Sequence, residues 1–195
     1  MSATLTPIRP QHKSGQRGFS LLEVMVSMTI LTVGLVALLG VFGLAMAATQ
    51  SSDQNAIAKQ LANEALESIL TARETAKIPW SAIQNQGNGG IFLSGNQPID
   101  CPGVDGIIGT ADDAACGAQT LQQPGPDGIF GTADDVFLPL TNYTRKITIT
   151  EATGPPPLNN PIPELNVVTI TLNYTNPQIK SRQHYVLNTY VSEYR

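Results

Sequence analysis

Polarity along the chain falls into three regimes. Residues 24–52 hold no charged side chain, 29 positions in a row, more than the roughly 20 apolar residues that carry a helix across a hydrocarbon core of about 30 Å. Beyond them Ile57, Ala58, Leu61, Ala62, Ala65 and Ile69 recur on one side at helical spacing, with Gln60, Glu64, Glu67, Thr71 and Glu74 on the other. One continuous helix from about Ser20 to Lys77 is predicted, with Pro79 marking its end. The last third alternates with period two, which predicts strands over residues 143–151, 165–175 and 183–194. Val168, Ile170, Leu172 and Tyr174 share one face of the middle strand, and a Pro-rich stretch at 154–163 and a turn at Thr175-Asn176-Pro177 separate the three. The expected fold class is α+β: a long N-terminal helix, membrane-spanning and then amphipathic, packed against a small antiparallel β-sheet.

Composition leaves room for one modest core. The 195 residues are 42% apolar, with 17 Gly and 14 Pro, and most of the apolar weight sits at the N-terminus. The position of the charges says more than their net of −4. The leader holds Arg9, Lys13 and Arg17 and no acid; past it eight basic residues face fifteen acidic ones. Residues 78–144 contain no Lys or Arg but carry Asp100, Asp105, Asp112, Asp113, Asp127, Asp134 and Asp135. Such a region repels phosphate backbones, so no nucleic-acid binding is inferred. It calls for a cation instead.

Glu23 stands at the head of the apolar run, where a carboxylate is costly: about 2.5–3.5 kcal/mol at a bilayer centre on the insertion scale. A secretory signal peptide, for which Ala45-Met46-Ala47 offers a cleavage pattern, is disfavoured by the length of the run and by this acid. A plain single-pass anchor, with Glu23 snorkelling to water, leaves the acid without a purpose. The basic leader places the N-terminus in the cytoplasm and the bulk of the chain on the far side of the membrane.

Gly18-Phe19-Ser20-Leu21-Leu22-Glu23-Val24, behind a short basic leader, resembles the cleavage and methylation site of type IV prepilins and secretion pseudopilins. The resemblance covers about residues 13–75. It implies a pilin-like fold, cleavage between Gly18 and Phe19 by a membrane-embedded prepilin peptidase, N-methylation of Phe19, and a mature chain of 177 residues from the 195. It also implies as partners the peptidase, other pilin subunits, the inner-membrane pilus assembly machinery and membrane lipid. Cleavage creates a cationic amine at Phe19 inside the apolar layer, and Glu23 of a neighbouring subunit can neutralise it, favouring one axial register over slipped ones. The start Leu21-Leu22-Glu23-Val24-Met25-Val26, Gly34 and the segment Ala65-Leu66-Glu67-Ser68 look most like minor pilins of the V class. A type II secretion pseudopilin and a non-polymerising, membrane-anchored calcium-binding protein are the alternatives. The expected location is the inner membrane with a periplasmic C-terminal domain, then the pilus and cell surface. Gly34, Gly40 and Gly43 each lower helix propensity by about 1 kcal/mol relative to Ala, for local melting on assembly or for close helix packing in lipid.

The chain divides accordingly into a leader (1–18), a transmembrane and assembly helix (19–49), an amphipathic helix (50–78), an acidic Gly/Pro-rich loop region (79–141) and the sheet (142–195). The loop region holds an internal repeat: Pro102-Gly103-Val104-Asp105-Gly106-Ile107-Ile108-Gly109-Thr110-Ala111-Asp112-Asp113 returns 22 residues later as Pro124-Gly125-Pro126-Asp127-Gly128-Ile129-Phe130-Gly131-Thr132-Ala133-Asp134-Asp135, identical at ten of twelve positions. Asp105, Asp112 and Asp113 in one copy and Asp127, Asp134 and Asp135 in the other suit a hard cation such as Ca²⁺, the one candidate cofactor, and resemble acidic Gly-rich calcium-binding repeats. Asp-Gly is equally a hairpin signal, so a polar turn remains open. Cys101 and Cys116 bracket the first copy and read as a disulfide in an exported domain. No enzyme is expected: His12 lies in the leader, His184 in a predicted strand, and no nucleophile-elbow, zinc-protease or phosphate-loop motif occurs.

Overall fold

The computed structural model describes residues 18–175 and 181–194. The basic leader residues and Asn176-Pro177 of the expected turn lie outside these residues. Helix α1 spans Leu21–Glu74, 54 residues. Contacts divide the chain into two units, one ending at Met46 and the other Ala47–Arg195.

The first unit is the apolar part of α1. Among the described residues it is the one helix long and apolar enough to cross a membrane, with a mean hydropathy of 2.5 over 18 residues, none of them buried. Its few hydroxyls are satisfied internally: Ser27 donates to the Glu23 carbonyl at 2.7 Å, Thr29 to Met25 at 2.8 Å and Thr32 to Thr29 at 2.9 Å. Polar side chains thereby cost little in an apolar layer. No heavy atom lies within 4 Å of the positions a Cβ would take at Gly34, Gly40 or Gly43.

In the second unit α1 buries Ala58, Leu61, Ala62, Ala65, Ile69 and Ala72, the stripe expected from its spacing. The helix ends at Glu74, not at Lys77. Ala76 turns into the left-handed region (φ 53°), its amide donates to Arg73 at 3.1 Å and that of Lys77 reaches back to Ala72 at 3.0 Å, a Schellman closure that leaves Pro79 nothing to terminate. Alanine in that conformation costs about 1 kcal/mol over glycine. Ala76→Gly should therefore stabilise the chain by about 1 kcal/mol in denaturant unfolding.

The sheet facing α1 has strand order β1-β4-β5-β6, all antiparallel: β1 Gln97–Pro98, β4 Tyr143–Thr153, β5 Pro161–Thr175 and β6 Arg182–Ser192. Ile147 and Ile149 on β4 lie opposite Ile170 and Val168 on β5, and Tyr143 stacks on Tyr174 with ring centroids 5.5 Å apart. These side chains close on Leu61, Ala65 and Ile69 of α1 to form the core. Strand β5 starts at Pro161, earlier than expected, because a register shift between Glu151 and Ala152 lets Ala152 and Thr153 pair with Ile162 and Pro161. Residues 79–141 are more than loop. They supply β1, a short helix α2 (Asp113–Cys116) and a separate hairpin of β2 (Thr120–Gln123) with β3 (Val136–Pro139).

Strand β1 covers the outer edge of β4 only at Thr144 and Arg145. Farther along, the buried Asn85 side chain stands in for a strand: its amide nitrogen donates to the Ile147 carbonyl at 2.9 Å and its oxygen accepts from the Ile149 amide at 2.8 Å. One side chain thus satisfies two ladder groups of a buried edge.

Candidate functional site

At the head of α1 the backbone of residues 18–20 is non-helical, and the first helical bond runs from the Val24 amide to the Ser20 carbonyl at 3.2 Å. Phe19 is 82% exposed, and among the described residues a Cβ placed on Gly18 would meet nothing within 4 Å beyond its chain neighbours. The Gly18–Phe19 bond is therefore irregular, accessible backbone, the form in which a peptide enters a protease cleft. Glu23 occupies the first turn of the helix, four residues past Phe19 in sequence. Cutting before Phe19 would leave an ammonium and a carboxylate four residues apart in sequence, at the head of a long apolar segment.

The six repeat aspartates are brought together in two groups of three, and both copies fold into one hydrogen-bonded circuit. The Asp105 and Asp127 amides donate to Asp112 and Asp134 at 3.1 and 3.4 Å. The Ile107 and Ile129 amides donate to Asp105 and Asp127 at 2.7 and 2.9 Å. The Gly109 and Gly131 amides reach Asp113 and Asp135, both at 2.6 Å, and the Thr110 and Thr132 hydroxyls reach Asp112 and Asp134, also both at 2.6 Å. The carboxylates that sequence offers to a cation thus accept from backbone amides and hydroxyls. Among the described residues no group of three or more His, Cys, Asp or Glu side chains is arranged to hold a metal.

The necks of the two loops differ. Cys101 and Cys116 form a disulfide around the first copy, 15 residues apart, and the Cys101 amide donates to Gly117 at 3.0 Å. The second copy is closed by the ladder instead, Gln123 pairing with Val136. Cys101→Ser with Cys116→Ser should lower stability by about 3 kcal/mol, the loop-closure entropy of 15 residues, read as a drop in thermal midpoint that dithiothreitol reproduces in the wild type.

Burial also separates the copies. Ile107, Ile108, Thr110 and Asp113 are all buried, and the Ile108 amide donates to Ser68 of α1 at 3.2 Å. Burial pushes the Asp113 carboxyl above its ordinary range, opposed by the Gly109 and Gly103 amides and by the Arg145 guanidinium. At Asp135 burial also acts upward, but the Gly131 amide and the Gln122 side chain outweigh it and the carboxyl falls below its ordinary range. The hydroxyls of Thr110 and Thr132 hold Asp112 and Asp134 low in the same way.

Gly109 and Gly131 both adopt positive φ, 93° and 85°. A Cβ on Gly109 would come within 2.5 Å of Ile147 Cδ1, whereas one on Gly131 meets nothing within 4 Å. Gly109→Ala should cost about 3 kcal/mol and Gly131→Ala about 1–2 kcal/mol, the gap in paired unfolding curves measuring how tightly the first loop is seated.

Two buried polar side chains escape a motif search. Asn85 works through long-range bonds that leave no local pattern. Arg145 is 3% exposed, its Nη1 is buried with no hydrogen-bond partner among the described residues, and burial lowers its pKa against the opposing fields of Glu64, Asp113 and Asp100. Its signal is in the sequence: between Tyr143 and Ile147 the period-two pattern places Arg145 on the apolar face.

Comparison with curated proteins and with solved structures finds no match. Comparison with protein families matches residues 13–39. That segment, holding Gly18, Phe19, Glu23 and the first half of the apolar helix, matches the prokaryotic N-terminal methylation motif, the signal of type IV prepilins and pseudopilins.

Proposed function

We infer that the chain is a minor type IV pilin, a structural subunit cut by prepilin peptidase between Gly18 and Phe19, methylated on Phe19 and incorporated into a pilus or priming its assembly. One observation carries this reading: Glu23 stands four residues past Phe19 within the segment that matches the methylation motif, at the head of a helix whose apolar side chains are exposed from Leu21 to Met46. Such a helix needs lipid before assembly and other helices after it. The positive leader supports a periplasmic C-terminal domain. The resemblance of residues 21–26 and 65–68 to V-class minor pilins supports the subclass over a secretion pseudopilin.

Intact mass and N-terminal sequencing of the chain from membranes test the reading. The expected product is a 177-residue chain beginning with N-methyl-Phe19. A chain still carrying residues 1–18 would reject it in favour of a static membrane anchor.

A further inference from the structure

The two repeat loops are built alike and used differently. In the 102–113 loop Ile107 and Ile108 are 1% and 2% exposed and belong to the core with α1 and β4. In the 124–135 loop the same hydrogen-bond circuit presents Ile129 and Phe130 at 59% and 65% exposure, on the tip of the β2–β3 hairpin. Val136 and Phe137 extend the exposed apolar surface onto β3. Nothing in the circuit requires an apolar pair there, because the loop is held by Asp127, Thr132, Asp134 and Asp135. A large apolar pair held out to water on a well-bonded loop is the mark of a contact surface.

The first loop shows what such a pair fits. Its receptacle is an apolar cleft between a helix and a sheet, and Asp113 lies within the field of the buried Arg145. The second loop carries the matching acid, Asp135, which forms no ion pair among the described residues. Its bonds are to Gln122, Gly131 and Thr132. An Arg or Lys of a partner would stand to Asp135 as Arg145 stands to Asp113. A second copy of this chain is the poorer occupant, since its own receptacle is already filled by its own 102–113 loop.

We propose that the 124–135 loop is a docking plug: Ile129 and Phe130 seat in an apolar helix–sheet cleft of a neighbouring, different filament subunit, and Asp135 meets an Arg or Lys at the floor of that cleft. The plug repeats between subunits what the 102–113 loop does within one. It rests on the filament reading and adds to it the surface by which the chain selects its neighbour.

The test uses the full-length chain in cells that assemble the filament, with photoreactive benzoyl-phenylalanine at position 130. The expected result is a cross-link to another subunit bearing the methylation motif. Ile129→Ser with Phe130→Ser should lower incorporation into sheared filaments by about tenfold or more, and Asp135→Asn by a smaller factor. Cleavage before Phe19 and the thermal midpoint should stay at wild-type values. A cross-link only to lipid or to a second copy of this chain, no cross-link, or unchanged incorporation of the double variant overturns the plug. If the wild type is cleaved and found in filaments while these results fail, the plug alone falls. If the wild type keeps residues 1–18 and stays out of filaments, the filament reading falls with it.

Discussion

A Glu23→Leu chain is expected to insert in the membrane and lose its leader like the wild type, yet to reach filaments about 100-fold less often. Leucine makes the segment more apolar, so insertion does not suffer, and the Gly18–Phe19 backbone lies ahead of the substitution in a non-helical stretch. What changes is the partner for the Phe19 amine. Within a bundle of apolar helices an ammonium without its carboxylate is an uncompensated buried charge, at about 3–5 kcal/mol. In the membrane before assembly the same amine can stay near water, so the penalty falls on the assembly step. Immunoblots of sheared filaments against membrane fractions give the ratio, and sequencing of the membrane pool reports cleavage. Equal incorporation of the variant would remove the pairing from the account.

The second large effect is expected inside the sheet. Asn85→Ala should destabilise the chain by about 4 kcal/mol, since it strands the Ile147 carbonyl and the Ile149 amide, two buried backbone groups worth about 1–3 kcal/mol each, and leaves a small void. Asn85→Asp is expected to do little better: it keeps the acceptor for Ile149 but sets a carboxylate against the Ile147 carbonyl. Denaturant unfolding of the full chain in detergent reads both, and a loss near 1 kcal/mol would mean that water replaces the amide.

Helix α1 and strands β4 to β6 were legible because periodicity records burial directly. Ala58, Leu61, Ala65 and Ile69 must face something at helical spacing, and Val168, Ile170 and Leu172 must face the same thing at strand spacing. The methylation motif was legible for a different reason: its residues, Gly18 to Glu23 among them, lie close together in sequence and carry a local pattern. Residues 79–141 were legible at the Cys101–Cys116 disulfide and little beyond it, because few of their bonds follow a period. Asp105, Asp112 and Asp113 look alike as a cation's ligands and as acceptors for backbone amides, and only the fold shows the amides in place. Strands β2 and β3 are short, and β3 is exposed at all four positions, so no inside-outside alternation announces it. Gly109 needs its positive φ to seat the first loop against Ile147, a requirement set by a residue 38 positions away.

The different necks of the two loops also set an order of events. The 124–135 loop is closed by a hydrogen-bonded ladder and needs no oxidant, while the 102–113 loop waits for Cys101 to find Cys116. In a compartment that keeps thiols reduced, the hairpin can be complete while the segment that fills the core beside α1 is still unlatched. Latching of the first loop thereby depends on an oxidising environment, and closure of the second does not.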